Sequence, residues 1–81
     1  MTVYLRFGAA VAHTLGSATM EVTLADGATV GDLLDYLGVH HPLLRQRLWT
    51  AIPIVSGRSA LKSDSLANGQ EVLFISALAG G

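Results

Sequence analysis

The sequence predicts an α+β roll in two layers, a sheet of about five strands with one main helix on one face and a short second helix. Three observations carry the prediction. Two early segments alternate apolar and polar residues with period 2. A single later segment repeats apolar residues at i, i+3, i+4 and i+7, the stripe of an amphipathic helix. The last apolar run, Val72-Leu73-Phe74-Ile75, is hydrophobic at both parities, so both of its faces favour burial.

The first strand is residues 2–7, with Val3, Leu5 and Phe7 on one face and Tyr4 and Arg6 on the other. Residues 18–24 repeat the pattern, with Met20, Val22 and Leu24 against Thr19, Glu21 and Thr23. The small, Ala-rich stretch 8–17 between them reads as a long connection holding a single helical turn around residues 11–15. After the turn Ala25-Asp26-Gly27-Ala28, the main helix starts at Thr29 with a capping box closed by Asp32. Val30, Leu33, Leu34 and Leu37 form its apolar stripe, and Gly38 is the expected terminator. Pro42 opens the second, shorter helix, with Leu44 and Leu48 as its buried pair. Ala51–Val55 is the third strand, placed at an edge or on a bulge by Pro53. Ser56-Gly57 turns the chain into a short fourth strand near residues 60–62. Asp64-Ser65-Leu66 and Asn68-Gly69 are turn chemistry, and Glu71–Ser76 is the last strand. If Val72 and Phe74 face the helix, Leu73 and Ile75 point to the uncovered side, where an aliphatic patch suits a protein partner.

Eighty-one residues make one domain, read as residues 1–76 with a flexible tail at 77–81. At 51% hydrophobic and 14% charged residues, the chain is too apolar for disorder. Five basic against six acidic residues, with no basic run, give phosphate neutralisation nothing to rest on, so no nucleic acid is expected as a partner. The absence of cysteine removes disulfides, thiolate nucleophiles and cysteine-based metal sites. No leader pattern and no apolar run near ~20 residues occurs, so no membrane partner and a cytoplasmic location are expected.

Side-chain chemistry is sparse. His40 and His41 are adjacent, about 100° apart on a helix, and His13 is distant, so no metal site is expected. Asp32 and Asp35 sit where a helix dipole favours acids, and neither Ser56 nor Ser59 has a base or orienter nearby in sequence. No glycine-rich phosphate loop is present. The remaining oddity is the ending, Ser76-Ala77-Leu78-Ala79-Gly80-Gly81. Five extended residues reach up to ~17 Å. With no Cβ on the last two, such a tail threads a narrow channel and delivers a carboxylate that needs no special side chain.

Several stretches resemble the MoaD/ThiS-type ubiquitin-like sulfur-carrier family. They are Arg6-Phe7-Gly8-Ala9, Val55-Ser56-Gly57-Arg58, the run from Asp64-Ser65-Leu66 through Glu71-Val72-Leu73-Phe74-Ile75, and the closing Ala77-Leu78-Ala79-Gly80-Gly81. The resemblance spans the whole chain and is nearest to the small subunit of molybdopterin synthase. The segment 38–49 between helix and third strand fits that branch, whereas Ser76-Ala77-Leu78 before the diglycine is closer to the thiamine-pathway carriers.

The resemblance implies a ubiquitin-like β-grasp roll with a mixed sheet. It implies that Gly81 is adenylated and then thiocarboxylated by an E1-like adenylyltransferase, and that the thiocarboxylate donates sulfur inside the molybdopterin synthase large subunit or another sulfur-accepting enzyme. It implies no bound cofactor, only the C-terminal thiocarboxylate and a transient AMP ester, and no catalytic side chain of the chain's own. Gly80 and Ala79 would allow close approach, Leu78 would anchor the tail, and Tyr4, Leu73 and Ile75 would dock both partners. Conjugation of the same C-terminus to lysines of other proteins, and a plain interaction domain, are the alternatives the residues leave open.

Residues 77–81 have no hydrophobic periodicity and almost no side-chain surface to bury. Backbone relaxation is expected to give Gly80 an order parameter below ~0.6. A Gly80 as rigid as the strands contradicts the threading reading.

Overall fold

The computed structural model describes residues 1–76. Its strands are β1 (Thr2–Phe7), β2 (Thr19–Thr23), β3 (Ala51–Val55), β4 (Arg58–Ser59) and β5 (Glu71–Ser76). Its helices are α1 (Ala9–Leu15), α2 (Val30–His40) and α3 (Arg45–Trp49), with a 3₁₀ turn at Pro42–Leu44 running into α3. The strands form one mixed sheet in the order β2-β1-β5-β3-β4. β1 and β5 are parallel at its centre, and the other pairings are antiparallel. This is the two-layer α+β roll that the sequence predicts.

The period-2 pattern of β1 sends Val3, Leu5 and Phe7 inward, at 0–7% exposure. Val22, Val72 and Phe74 join them, and the Phe7 and Phe74 rings stack with centroids 5.8 Å apart. Against this layer α2 lays Val30, Leu33 and Leu37, while Leu44 and Leu48 close the core beneath it. α2 begins as its sequence requires: Thr29 N donates to Asp32 Oδ2 (2.9 Å) and Asp32 N donates to Thr29 Oγ1 (3.2 Å).

Four local expectations need correction. The connection after β1 holds a seven-residue helix rather than a single turn, because Val11 finds a place in the core and Gly16, at φ 84°, caps the end. Gly38 does not end α2. The helix continues to His40 and stops where Pro42 disfavours helical angles for His41 (φ −136°, ψ 68°).

β3 is not an edge strand, since β5 and β4 flank it. Pro53 O accepts from Ala60 N at 2.8 Å, but a proline has no N–H to complete the reciprocal bond. The ladder between β3 and β4 therefore holds only at Ile54↔Ser59 and Val55↔Arg58. For the same reason β4 lies at Arg58–Ser59 and not at residues 60–62. The chain beyond it crosses to the start of α2, where Gly31 N donates to Lys62 O (2.9 Å) and Val30 N to Asp64 O (2.9 Å). The turn into β4 is Ser56-Gly57, both with positive φ (53° and 78°), the pairing that suits two-residue hairpins.

Loss of the Thr29 cap leaves α2 donors unpaired. Thr29→Ala is expected to lower unfolding free energy by about 1 kcal/mol in urea denaturation, and an unchanged midpoint would show that the capping box adds nothing.

Candidate functional site

The candidate surface is the face of the sheet opposite the helices. Parity along β5 puts Val72 (0%) and Phe74 (1%) inside, with Leu73 half-buried and Ile75 40% exposed on the other face. The β3–β5 register then pairs Ile52 with Ile75 and Ile54 with Leu73, one rung apart on the same face. Directly opposed side chains across such a ladder stand about 4.5–5.5 Å apart at Cβ, so these four aliphatic residues form one continuous patch. It lies toward the end of β5 that leads into residue 77.

Charged residues frame the patch. Arg6 pairs with Leu73 across the parallel ladder, and its guanidinium lies 3.8 Å from Glu71. Both partners are about 60% exposed, so the ion pair positions the rim and adds little stability. Of the three patch residues the resemblance implied, Leu73 and Ile75 lie on β5, and Tyr4 (43% exposed) lies on the same face of the neighbouring β1, between Glu71 and Glu21 and one rung from Leu73. Four residues of strand, about 13 Å, separate that rung from Ile75.

Ile52 and Ile54 were missed in the sequence. The signal was present, since Ile52-Pro53-Ile54 alternates with period 2, but their place beside Ile75 and Leu73 follows only from the antiparallel register. Gly81, Gly80, Ala79 and Leu78 lie outside the described residues, as does the expected flexibility of the tail. Among the described residues, no three of His, Cys, Asp and Glu converge as metal ligands. His40 stacks on Tyr36 at 4.2 Å, and Asp32 is engaged in the α2 cap. No described helix is long and apolar enough to cross a membrane.

The two parities of β5 are separable by mutation. Ile75→Glu and Ile52→Glu are expected to change unfolding free energy by no more than about 1 kcal/mol. Phe74→Ala should cost about 3–5 kcal/mol. Unfolding of the Ile75 variant would place that residue in the core.

No family model and no curated protein matches the chain. Solved structures do. SAMP1 from Haloferax volcanii is 28% identical over the whole of both chains, with a TM-score of 0.86. The molybdopterin converting factor subunit 1 of Pyrococcus furiosus is 20% identical, with 96% of this chain and 99% of that one covered and a TM-score of 0.84. Caldiarchaeum subterraneum ubiquitin is 19% identical, covering 100% and 98% of the two chains, at a TM-score of 0.65. The last two identities speak to the fold, and the first extends over every residue of the sequence. With the sheet order and the single long helix, the chain has the ubiquitin-like β-grasp fold and is similar to SAMP1 and to the molybdopterin converting factor subunit.

Proposed function

We propose that the chain is a sulfur carrier whose reactive group is the Gly81 carboxylate. The observation that carries the reading is the Gly80-Gly81 pair three residues beyond a β-grasp strand whose open face is aliphatic. The Gly81 carboxylate attacks the α-phosphate of ATP in an E1-like adenylyltransferase, and pyrophosphate leaves. A sulfide-level nucleophile then attacks the acyl carbon, AMP departs, and the C-terminus becomes a thiocarboxylate. A bare carboxylate is a poor acyl donor, and the AMP ester supplies the leaving group. The thiocarboxylate is a contained nucleophile that a second enzyme, such as a molybdopterin synthase large subunit, draws into its active site.

The patch gives this scheme its partner surface. One face serving two enzymes in turn requires a few anchors rather than a large interface, and Ile52, Ile54, Leu73 and Ile75 supply them. At 40% exposure Ile75 returns only part of the roughly 1.5–3 kcal/mol of a full side-chain burial, so the anchors act together.

A second reading, conjugation of the activated Gly81 to lysines of other proteins, is favoured by the full-length likeness to SAMP1, a small archaeal modifier protein. The two readings share activation and diverge afterwards.

Incubation with an E1-like adenylyltransferase, ATP and a sulfide donor is expected to replace one oxygen by sulfur at the C-terminus, read by intact mass. Removal of Gly80 and Gly81 should abolish the change. Ile75→Glu should weaken binding to the activating enzyme by about 2 kcal/mol, near thirtyfold in Kd. Asp32→Ala and Ser56→Ala should leave the yield within a few-fold. Isopeptide-linked ladders without sulfur exchange would favour the modifier, and a hundredfold loss from either of the last two variants in folded protein would overturn both readings.

A further inference from the structure

The two outer edges of the sheet are closed unequally. β4 spans two residues, and the missing N–H of Pro53 has already cut its ladder short. β2 spans five residues, pairs with β1 alone in an unbroken register, and holds no proline and no lysine. Strand edges are usually blunted by such residues or by bulges, and this one is not.

The register shows which backbone groups of β2 face outward. Met1 and Leu24 exchange both bonds (2.8 and 2.9 Å), and Phe7 N donates to Ala18 O (2.9 Å). Bonded pairs alternate along an antiparallel ladder, so Met20 and Val22 also turn their N–H and C=O toward β1. Thr19, Glu21 and Thr23 turn theirs to the outer edge. Ser17 closes the first of these: its Oγ donates to Thr19 O (2.9 Å) and accepts from Thr19 N (3.3 Å). Among the described residues, no protein group meets the backbone N–H or C=O of Glu21 or Thr23.

We propose that β2 is an edge through which two copies of this chain associate, Glu21 and Thr23 of one pairing with Thr23 and Glu21 of the other. The two open residues are self-complementary in one antiparallel register. Its two-fold axis passes between Val22 and Val22 of the second copy, and each chain donates two backbone bonds and accepts two. The side chains agree with that register. Glu21 stands opposite Thr23 of the second copy, whose hydroxyl can donate to its carboxylate. Met20 stands opposite Leu24 on the helix side, where both are only half-buried in a single chain. An axis centred on Glu21 would instead oppose two carboxylates and require Thr19 to leave Ser17. A net charge of −1 leaves little long-range repulsion between copies. The contact uses the same surface on both chains and therefore closes at two. β1 separates this edge from β5, so both aliphatic patches stay open on one face of the joined sheet. So short an edge buries less than the ~1,200 Å² of a standard interface, and the dimer fills at concentrations on the order of 0.1–1 mM.

The test uses the full chain. Sedimentation velocity from about 20 µM to about 1 mM should pass from monomer toward dimer. An isotope-filtered NOE spectrum of mixed labelled and unlabelled chains should connect Val22 Hα with Val22 Hα of the other copy, the close contact of a non-bonded antiparallel pair. Thr23→Lys sets opposite charges across the axis and should tighten the dimer about threefold or more, whereas Thr23→Glu sets like charges there and should loosen it by a similar factor. Thr23→Pro removes an outward N–H and no bond to β1, so it should abolish the dimer without changing the circular dichroism. If the proline variant unfolds, the two charge variants at the same exposed position decide the outcome. A chain still monomeric at about 1 mM would overturn the proposal and leave the edge to an extended segment of another protein. Intermolecular contacts at Ile52 and Ile75 in place of Val22, or charge variants that both act in the same direction, would also overturn it. None of these readouts involves Gly81, so they stand apart from the sulfur-carrier reading.

Discussion

The parallel pairing of β1 with β5 is the constraint on which the rest of the molecule depends. It aligns Leu5 with Val72 and Phe7 with Phe74, so the two innermost strands bury the same face and their aromatic rings stack. A parallel pair needs a long crossover, and the chain between β1 and β5 supplies it while carrying the helices that cover that face. Once the pairing is set, the direction of β5 fixes where residue 77 begins, and its parity fixes which side chains remain outside.

From that constraint follows an asymmetry of the two faces. α2 and the segment through α3 lie on one side only, and they saturate Val72 and Phe74. Nothing in the described residues covers the other side, and β3 adds Ile52 and Ile54 to Leu73 and Ile75 there. On the proposed function, this patch at the end of β5 is the handle by which partner enzymes hold the domain near its reactive C-terminus. The helix side is also incompletely sealed, because Pro53 cuts β4 short and the chain beyond it diverges to pin α2 rather than to extend the sheet.

What was legible in the sequence was what local chemistry determines. The Thr29–Asp32 box, the α2 stripe and the outward parity of Leu73 and Ile75 are each set by residues within one or two turns of one another, and they stand as read. What was not legible depended on register or on neighbours distant in sequence. Gly38 reads as a stop, yet the helix passes through it until Pro42 intervenes. Pro53 reads as an edge signal, yet the ladder tolerates it by losing its partner bond on the β4 side alone. The patch was half seen for the same reason: alternation gives the face of Ile52 and Ile54, while only strand pairing puts them next to Ile75 and Leu73. The diglycine is legible only as sequence, and its role rests on chemistry and family likeness.

The central claim, that the open sheet face is what an activating enzyme grips, is most directly tested by methyl NMR on the selectively labelled chain titrated with an E1-like adenylyltransferase that modifies it. The account predicts broadening or shifts at the methyls of Ile52, Ile54, Leu73 and Ile75, with Leu34, Val39 and Leu61 on the helix side unaffected. Perturbation confined to the helix-side methyls, with the four patch residues unchanged, would contradict it.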